Sequence, residues 1–512
     1  MAQFAAMFTP LRIAVVLTVL ALGWRMVHVT EWPFPYATAV QYDCALSARA
    51  IWLAADPGER TGEKAIWFDA VGFDHIIGPP ILSGLAAGCY CIVGEEIPWI
   101  AKAFGSLFWV AAGWFIFLAV ERQTGCRWAA LVAFTWFNFT PFGLIMSRCF
   151  QPEPLLACGF AIAVWHLARP GRTLTWRETL LAGVVCGLCA FPKPGILFGP
   201  LAAAFAAIIL QRSTPGTLAR KVVHIAAFTV LLVAPSFAYV ALVLPHRGGE
   251  LLPGLLLEAW YYQGVEKLIA HVIGYPALAL GLFGASLAVR AGDRLLVGLL
   301  AGYVGYLGIF TYHCATHEYY HLPLLVPVAL GLGWVAVRLG QTLEPLGKSR
   351  PRQVLLAAFA VIAFAGYLRG TRQYYLGPWR FTPIMQTVLA DLAAKRQARD
   401  ANYRVVREAV GPGAKVIAMT EDYGYPLEME AWLRVAFWPP HYDIPIMVRA
   451  GLMPAGFTHD AHVAKLSADG CEFAVITDFV EFAAQPELQA SLEKRGRLIV
   501  NTPTLRVYDL RR

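Results

Sequence analysis

About eleven stretches of this chain are apolar enough to cross a lipid bilayer, most of them near the rough length of 17–25 residues and several shorter or interrupted by Pro. They lie near residues 10–29, 99–120, 127–146, 154–168, 178–191, 195–211, 222–244, 274–289, 295–312, 321–337 and 353–369. Hydrocarbon offers no water to satisfy backbone N–H and C=O groups, so each stretch is expected to be helical. Composition agrees: 58% of the 512 residues are hydrophobic and 15% are charged, where soluble domains carry about 25% charged residues. The fold class read here is therefore a mostly α polytopic membrane protein. Arg12 precedes "IAVVLTVLALGW", but no small-x-small cleavage pattern follows before "RMVHVTEWPFP", so the first run is expected to remain as a span.

A further apolar run, "ILSGLAAGCYCIVG" at 81–94, is bounded by Pro79-Pro80 and Glu95-Glu96, and were it to span, the Lys/Arg bias would reverse for nearly all that follows. Laid along the interface or re-entrant, it leaves Arg122, Arg127, Arg169, Arg172, Arg177, Arg212, Arg220, Lys221, Arg290, Arg294, Arg338, Lys348, Arg350 and Arg352 on the side of the N-terminus. The positive-inside rule makes that side cytoplasmic. Asp43, Asp74, His75, Glu153, Lys193 and the cluster "HCATHEYYH" (313–321) then all fall on the outer side. The net charge of +8 fits basic cytoplasmic loops, and no nucleic-acid motif accompanies it, so no nucleic-acid partner is expected.

The chain divides into a membrane domain, 1–370, with an outer loop at 30–98, and a region from 371 to 512 of soluble composition. In the latter, "AKVIAMT" (414–420) and "CEFAVITD" (471–478) have strand character and "PELQASLEKRG" (486–496) has helical character. "RLIVNTPTLRVYDL" predicts strand, turn and strand. A small extracytoplasmic α/β domain follows from this, with no glycine-rich phosphate loop and no metal-ligand spacing. Ten cysteines are present, and the Cys186-x-x-Cys189 pair sits in an apolar helix, where packing outweighs redox chemistry.

Four motifs together resemble the GT-C glycosyltransferases, the superfamily of protein O-mannosyltransferases and the bacterial lipid A aminoarabinose transferase. An acid with an Ala-Arg-bearing helix follows span one, "YDCALSARAIW", and a Pro-Pro leads an amphipathic stretch, "HIIGPPILSGL". An acid follows span three in "SRCFQPEPLL", where the family often has "RPDALL". A Lys opens a later span in "GLCAFPKPGIL", and "HEYYHLPLLVPVALGLGW" begins another. The likeness covers roughly 10–370. It departs from the family pattern in having Tyr-Asp where Asp-Glu is common, and Glu153 where Asp is usual.

The resemblance implies a polyprenyl-phosphate-linked sugar donor, an outer acceptor (glycan, lipid or protein) and inversion at the anomeric carbon. It implies a bacterial inner membrane, with the C-terminal domain in the periplasm or outside. Asp43 and Glu153 are then the catalytic carboxylates, since an attacking hydroxyl has to lose a proton. Lys193, His317, Tyr320 and His321 are the donor-phosphate residues, because a departing phosphate needs cationic or O–H and N–H donors. Asp74 and His75 are acceptor-side candidates. No cofactor or metal site is expected, with a divalent cation left open.

Each residue has a plainer alternative. Asp43 fits a helix N-cap, Glu153 a dipole-favoured first turn, Lys193 a snorkelling side chain, and the His/Tyr cluster an interfacial aromatic belt. A transporter or lipid flippase is the competing function, but transporters usually show internal repeats and midplane charges, and neither is present here. A structural assembly subunit with a degenerate site is the third reading.

Overall fold

The computed structural model describes residues 9–27, 29–33, 36–76, 79–168, 175–211, 216–243, 252–343, 383–449 and 451–511. These sort into two compact units: residues 1–32 with 99–377, and residues 33–98 with 378–512. The eleventh expected span, 353–369, and the expected boundary near 370 lie outside the described residues.

In the first unit the described apolar runs are helices. Thr9 accepts the Arg12 amide and Pro10 starts the helix Pro10–Met26, a proline position where no N–H is lost to the ladder. Among the described residues three helices are long and apolar enough to cross a membrane: Trp99–Thr124, Leu218–Tyr239 and Glu318–Leu343. A fourth span is made if Ala259–Val272 and Tyr275–Arg290 count as one, bent by 90°. The bend has a local cause: Gly274 stands at φ 79°, in the left-handed region that favours glycine, and Pro276 follows it. Glu153–Leu167, Phe198–Leu210 and Leu295–Ile309 are apolar but shorter. The expected 195–211 span is built from a 3-10 turn, an α-helix and a π segment in succession.

Lipid gives little hydrophobic drive for helices to associate, so close approach at small residues has to supply the contact. A Cβ placed on Gly284, in Tyr275–Arg290, would land on the backbone carbonyl of Gly331 in Leu322–Leu343. Gly284→Val should therefore lower stability by at least about 1–3 kcal/mol, the usual cost of overpacking. Gly23→Val, where a Cβ meets nothing within 4 Å, should leave it almost unchanged. Thermal unfolding of the two variants in detergent checks this, and equal melting would remove the close-packing account.

The second unit holds the sheet. Strands β1 (Lys415–Met419), β2 (Arg434–Phe437), β3 (Phe473–Ile476), β4 (Arg497–Thr502) and β5 (Leu505–Asp509) run in the order β2-β1-β3-β5-β4. β1 pairs parallel with β2 and β3, while β5 pairs antiparallel with β3 and β4. Side chains alternate across the sheet. Ile417, Met419, Ala474, Ile476 and Tyr508 pack on one face with Val463, Leu488 and Leu492. Val416, Ala418, Phe473, Val475 and Val507 pack on the other with Tyr403, Val406 and Leu427.

Loop residues of 33–98 belong to this same unit. The helices Thr38–Ala55 and Ile81–Val93 pack on each other. Arg49, buried, ties them to the C-terminal part. Its guanidinium grips Glu96 with two bonds of 2.5 and 2.8 Å, donates to the Met429 carbonyl at 2.9 Å, and lies 3.9 Å from the Trp432 ring centroid. Such a planar fork, paired and stacked at once, is a role that Lys cannot fill.

Candidate functional site

Asp43 is not a helix cap. Its helix begins at Thr38, with Ala37 in the capping position at φ 47°, so Asp43 stands in the second turn and the capping alternative is removed. Its carboxylate faces His75, Nδ1 to Oδ1 at 3.0 Å, and His75 Nε2 meets Glu428 Oε1 at 2.9 Å. Ser47 Oγ donates to the His75 carbonyl at 3.1 Å, and the Tyr425 ring packs edge-on against the imidazole. The Glu428 side chain is 4% exposed, that of His75 11% and that of Asp43 24%, so exposure rises along the chain toward Asp43. Asp43 Oδ2 has no hydrogen-bond partner among the described residues.

Burial disfavours a charged His75, but its hydrogen bonds to Asp43 and Glu428, and the charges of those carboxylates, outweigh that and raise its pKa to about 9. At neutral pH the ring is an imidazolium. Burial and the same two carboxylates push the Tyr425 phenol up, so it stays neutral. Asp74, the neighbouring acid, instead pairs with Arg434 at 2.8 Å in an exposed position. Pairs of that kind contribute roughly 0–1 kcal/mol.

In the first unit a second arrangement forms. Glu153 opens the helix Glu153–Leu167, fully buried, and accepts from Lys193 Nζ. Lys193 sits in the turn between Trp176–Ala190 and the 3-10 turn at Pro194, where Pro192 and Pro194 fix the backbone. Its side chain is 28% exposed, and its ammonium lies 4.3 Å from the Tyr319 ring centroid and 5.2 Å from that of Tyr320. Tyr306 stacks on Tyr320, and His313 lies 4.9 Å from the same ring.

His317 bonds Thr316 Oγ at 2.7 Å through Nδ1. Burial, then the charges of His313 and Lys193, hold His317 down to about 4, so it is neutral at physiological pH. His321 is fully buried and has both nitrogens engaged: the Cys314 carbonyl at 2.8 Å takes the Nε2 hydrogen, so Nδ1 accepts from Tyr303 Oη at 2.6 Å. The structure thus gathers Glu153, Lys193, Tyr320 and His317, while His321 is engaged by Tyr303 and the Cys314 carbonyl instead. Asp43 and His75 come together in the other unit, joined by Glu428, which sequence reading did not find. Among the described residues, no group of three or more His, Cys, Asp or Glu is arranged to hold a metal ion.

Residues 78–239 match the family of dolichyl-phosphate-mannose-protein mannosyltransferases. The fold is similar to ArnT from Cupriavidus metallidurans bound to undecaprenyl phosphate, with TM-score 0.54 at 16% identity over 96% of this chain and 97% of that one. The chain has the GT-C fold seen in ArnT, and its likeness to the mannosyltransferase family lies in residues 78–239. An Archaeoglobus fulgidus oligosaccharyltransferase, tethered with an acceptor peptide containing the NVT sequon, is also similar, with TM-score 0.53 at 12% identity over 98% of this chain and 74% of that one. The archaeal oligosaccharyltransferase AglB from the same organism, in complex with an inhibitory peptide and a dolichol-phosphate, gives 0.51 at 14% identity over 98% and 74%. No curated protein sequence matches the chain. Within this GT-C fold, the PMT-family match includes Glu153 and Lys193, while Asp43, His75 and Glu428 lie outside it.

Proposed function

We propose that the protein transfers a sugar from a polyprenyl-phosphate-linked donor to an acceptor hydroxyl at the outer face of a membrane, with inversion. The observation that carries this reading is Asp43: a half-buried carboxylate with one oxygen held by His75 and the other without a protein partner among the described residues. In the reaction the acceptor oxygen bonds to the anomeric carbon as its proton passes to Asp43 Oδ2. The bond from the anomeric carbon to the phosphate oxygen breaks, and its electrons leave with the lipid phosphate. Lys193 receives that charge, with Tyr320 and the neutral His317 as hydrogen-bonding neighbours. Glu153 is the second carboxylate, aiming the Lys193 ammonium. Asp74 and His75 border the acceptor, and His321 supports the donor side through Tyr303.

The relatives support the donor class, since one holds undecaprenyl phosphate and another a dolichol-phosphate. The acceptor is a glycan, a lipid such as lipid A, or a protein. Mass spectrometry of envelope glycans with and without the gene tests the reading. One modification should vanish with the gene and return on complementation, and identical glycan profiles would count against it.

The same reading sets about eleven spans in a bacterial inner membrane, with the N-terminus in the cytoplasm and residues 371–512 outside it. A reporter fused after Arg512 should be active only when it is of the kind that works outside the cytoplasm. Activity confined to a cytoplasmic reporter would overturn this orientation.

A further inference from the structure

The chain of contacts Asp43–His75–Glu428 constrains its own protonation. A neutral imidazole has one N–H and one lone pair, so it can donate to only one of two ionised carboxylates and turns its lone pair on the other. Both ring nitrogens of His75 face carboxylate oxygens, at 3.0 and 2.9 Å. Two ionised acids at these distances require both nitrogens to be protonated. The groups facing the ring are Asp43 from the helix Thr38–Ala55, and Glu428 and Tyr425 from the helix Tyr425–Ala431.

We propose that Glu428 is a positioning residue for the transfer reaction: it holds His75 as an imidazolium, and His75 holds the Asp43 carboxylate through Oδ1, with Oδ2 turned to the acceptor. This rests on the reading of Asp43 as the base. The role follows from what happens to charge during the reaction. When Asp43 takes the acceptor proton it becomes neutral, and His75 then keeps a counter-ion only because Glu428 is there. Without Glu428, proton uptake by Asp43 would strand a partly buried cation, a costly state. Glu428 is the most buried of the three and lies 353 residues from His75 in the chain.

Two measurements test this on the full-length protein. The first follows hydrogen exchange at the His75 imidazole C2 position against pH by mass spectrometry, and needs no substrate. The second follows transfer against pH in membranes of the native host, which carry the donor and acceptor. In the wild type His75 should titrate near pH 9, about where its raised value puts it, and transfer should fall as pH rises through the same range. In Glu428→Gln both should move down by about one pH unit or more, since one of two partner charges is gone. Glu428→Asp, which restores the charge, should recover at least half of that displacement.

An unchanged His75 titration and an unchanged alkaline limb in Glu428→Gln would overturn the proposal. Should Glu428→Gln fail to fold, Glu428→Asp alone decides: a titration and limb like the wild type agree with the proposal, and a limb that moves without the His75 titration overturns it. Failure of the base itself is separable. It appears as retained transfer in Asp43→Asn, whatever the His75 titration does.

Discussion

Asp43→Asn is expected to yield a folded protein whose transfer rate is lower by about 100-fold or more, the usual scale for loss of a general base. The substitution keeps the shape of the side chain and an oxygen that can still accept from His75 Nδ1, so the 3.0 Å contact can persist. What it removes is the ability of Oδ2 to take a proton. Because the helix starts at Thr38, no capping bond is lost, and Glu428 still gives His75 a counter-ion, so the protein should fold, at a cost of about 1–3 kcal/mol for the weakened charged hydrogen bond. Transfer in native membranes, normalised to the amount of folded protein, measures the effect. A well-folded Asp43→Asn protein with near wild-type transfer would place the base elsewhere.

The second large effect is expected at Lys193. Lys193→Ala leaves Glu153 buried with its ion-pair partner gone, and a buried acceptor stripped of its partner costs about 1–3 kcal/mol, more when charged. It also removes the ammonium proposed for the phosphate, a charge-assisted contact of about 1.5–3 kcal/mol, so polyprenyl phosphate should bind at least about tenfold more weakly. The two losses separate in a double variant. Glu153→Gln together with Lys193→Ala no longer buries an unpaired charge, so thermal stability should return while lipid-phosphate binding stays weak. If the double variant binds labelled polyprenyl phosphate like the wild type, Lys193 serves structure alone.

The membrane class and four of the five strands were legible in the sequence, for physical reasons. Hydropathy over a span and period-two alternation are local signals, and β1, β3, β4 and β5 fall within the runs that carry them. Strand β2 was missed because "RVAF" is four residues long, lies at the sheet edge and is only partly buried on every residue. The expected spans were drawn too uniformly, since hydropathy cannot register a Gly-Pro bend such as that at Gly274–Pro276 or a break into 3-10, α and π pieces after Lys193.

The candidate sites divide in the same way. Asp43, Glu153 and Lys193 were named from the sequence because each stands in one of the family-like motifs, while His75 lay in the same outer loop without a distinctive local signal. Glu428 sits in "YPLEMEAWL", an ordinary amphipathic stretch of a soluble domain, and its meaning comes only from a partner 353 residues away. Arg49 carried a visible charge, but its grip on Glu96 and the Met429 carbonyl is likewise a long-range contact without a local signature.

The central claim is that the bond between sugar and lipid phosphate is broken on the outer side by this protein. The most direct measurement follows that bond in native membranes, reading free polyprenyl phosphate and glycosylated acceptor together by mass spectrometry. The account predicts that the two products appear in equal amounts with the wild type and that both fall by about 100-fold with Asp43→Asn. Lipid-linked sugar that changes sides with its phosphate bond intact, equally well in both proteins, would contradict it and mark the chain as a translocator.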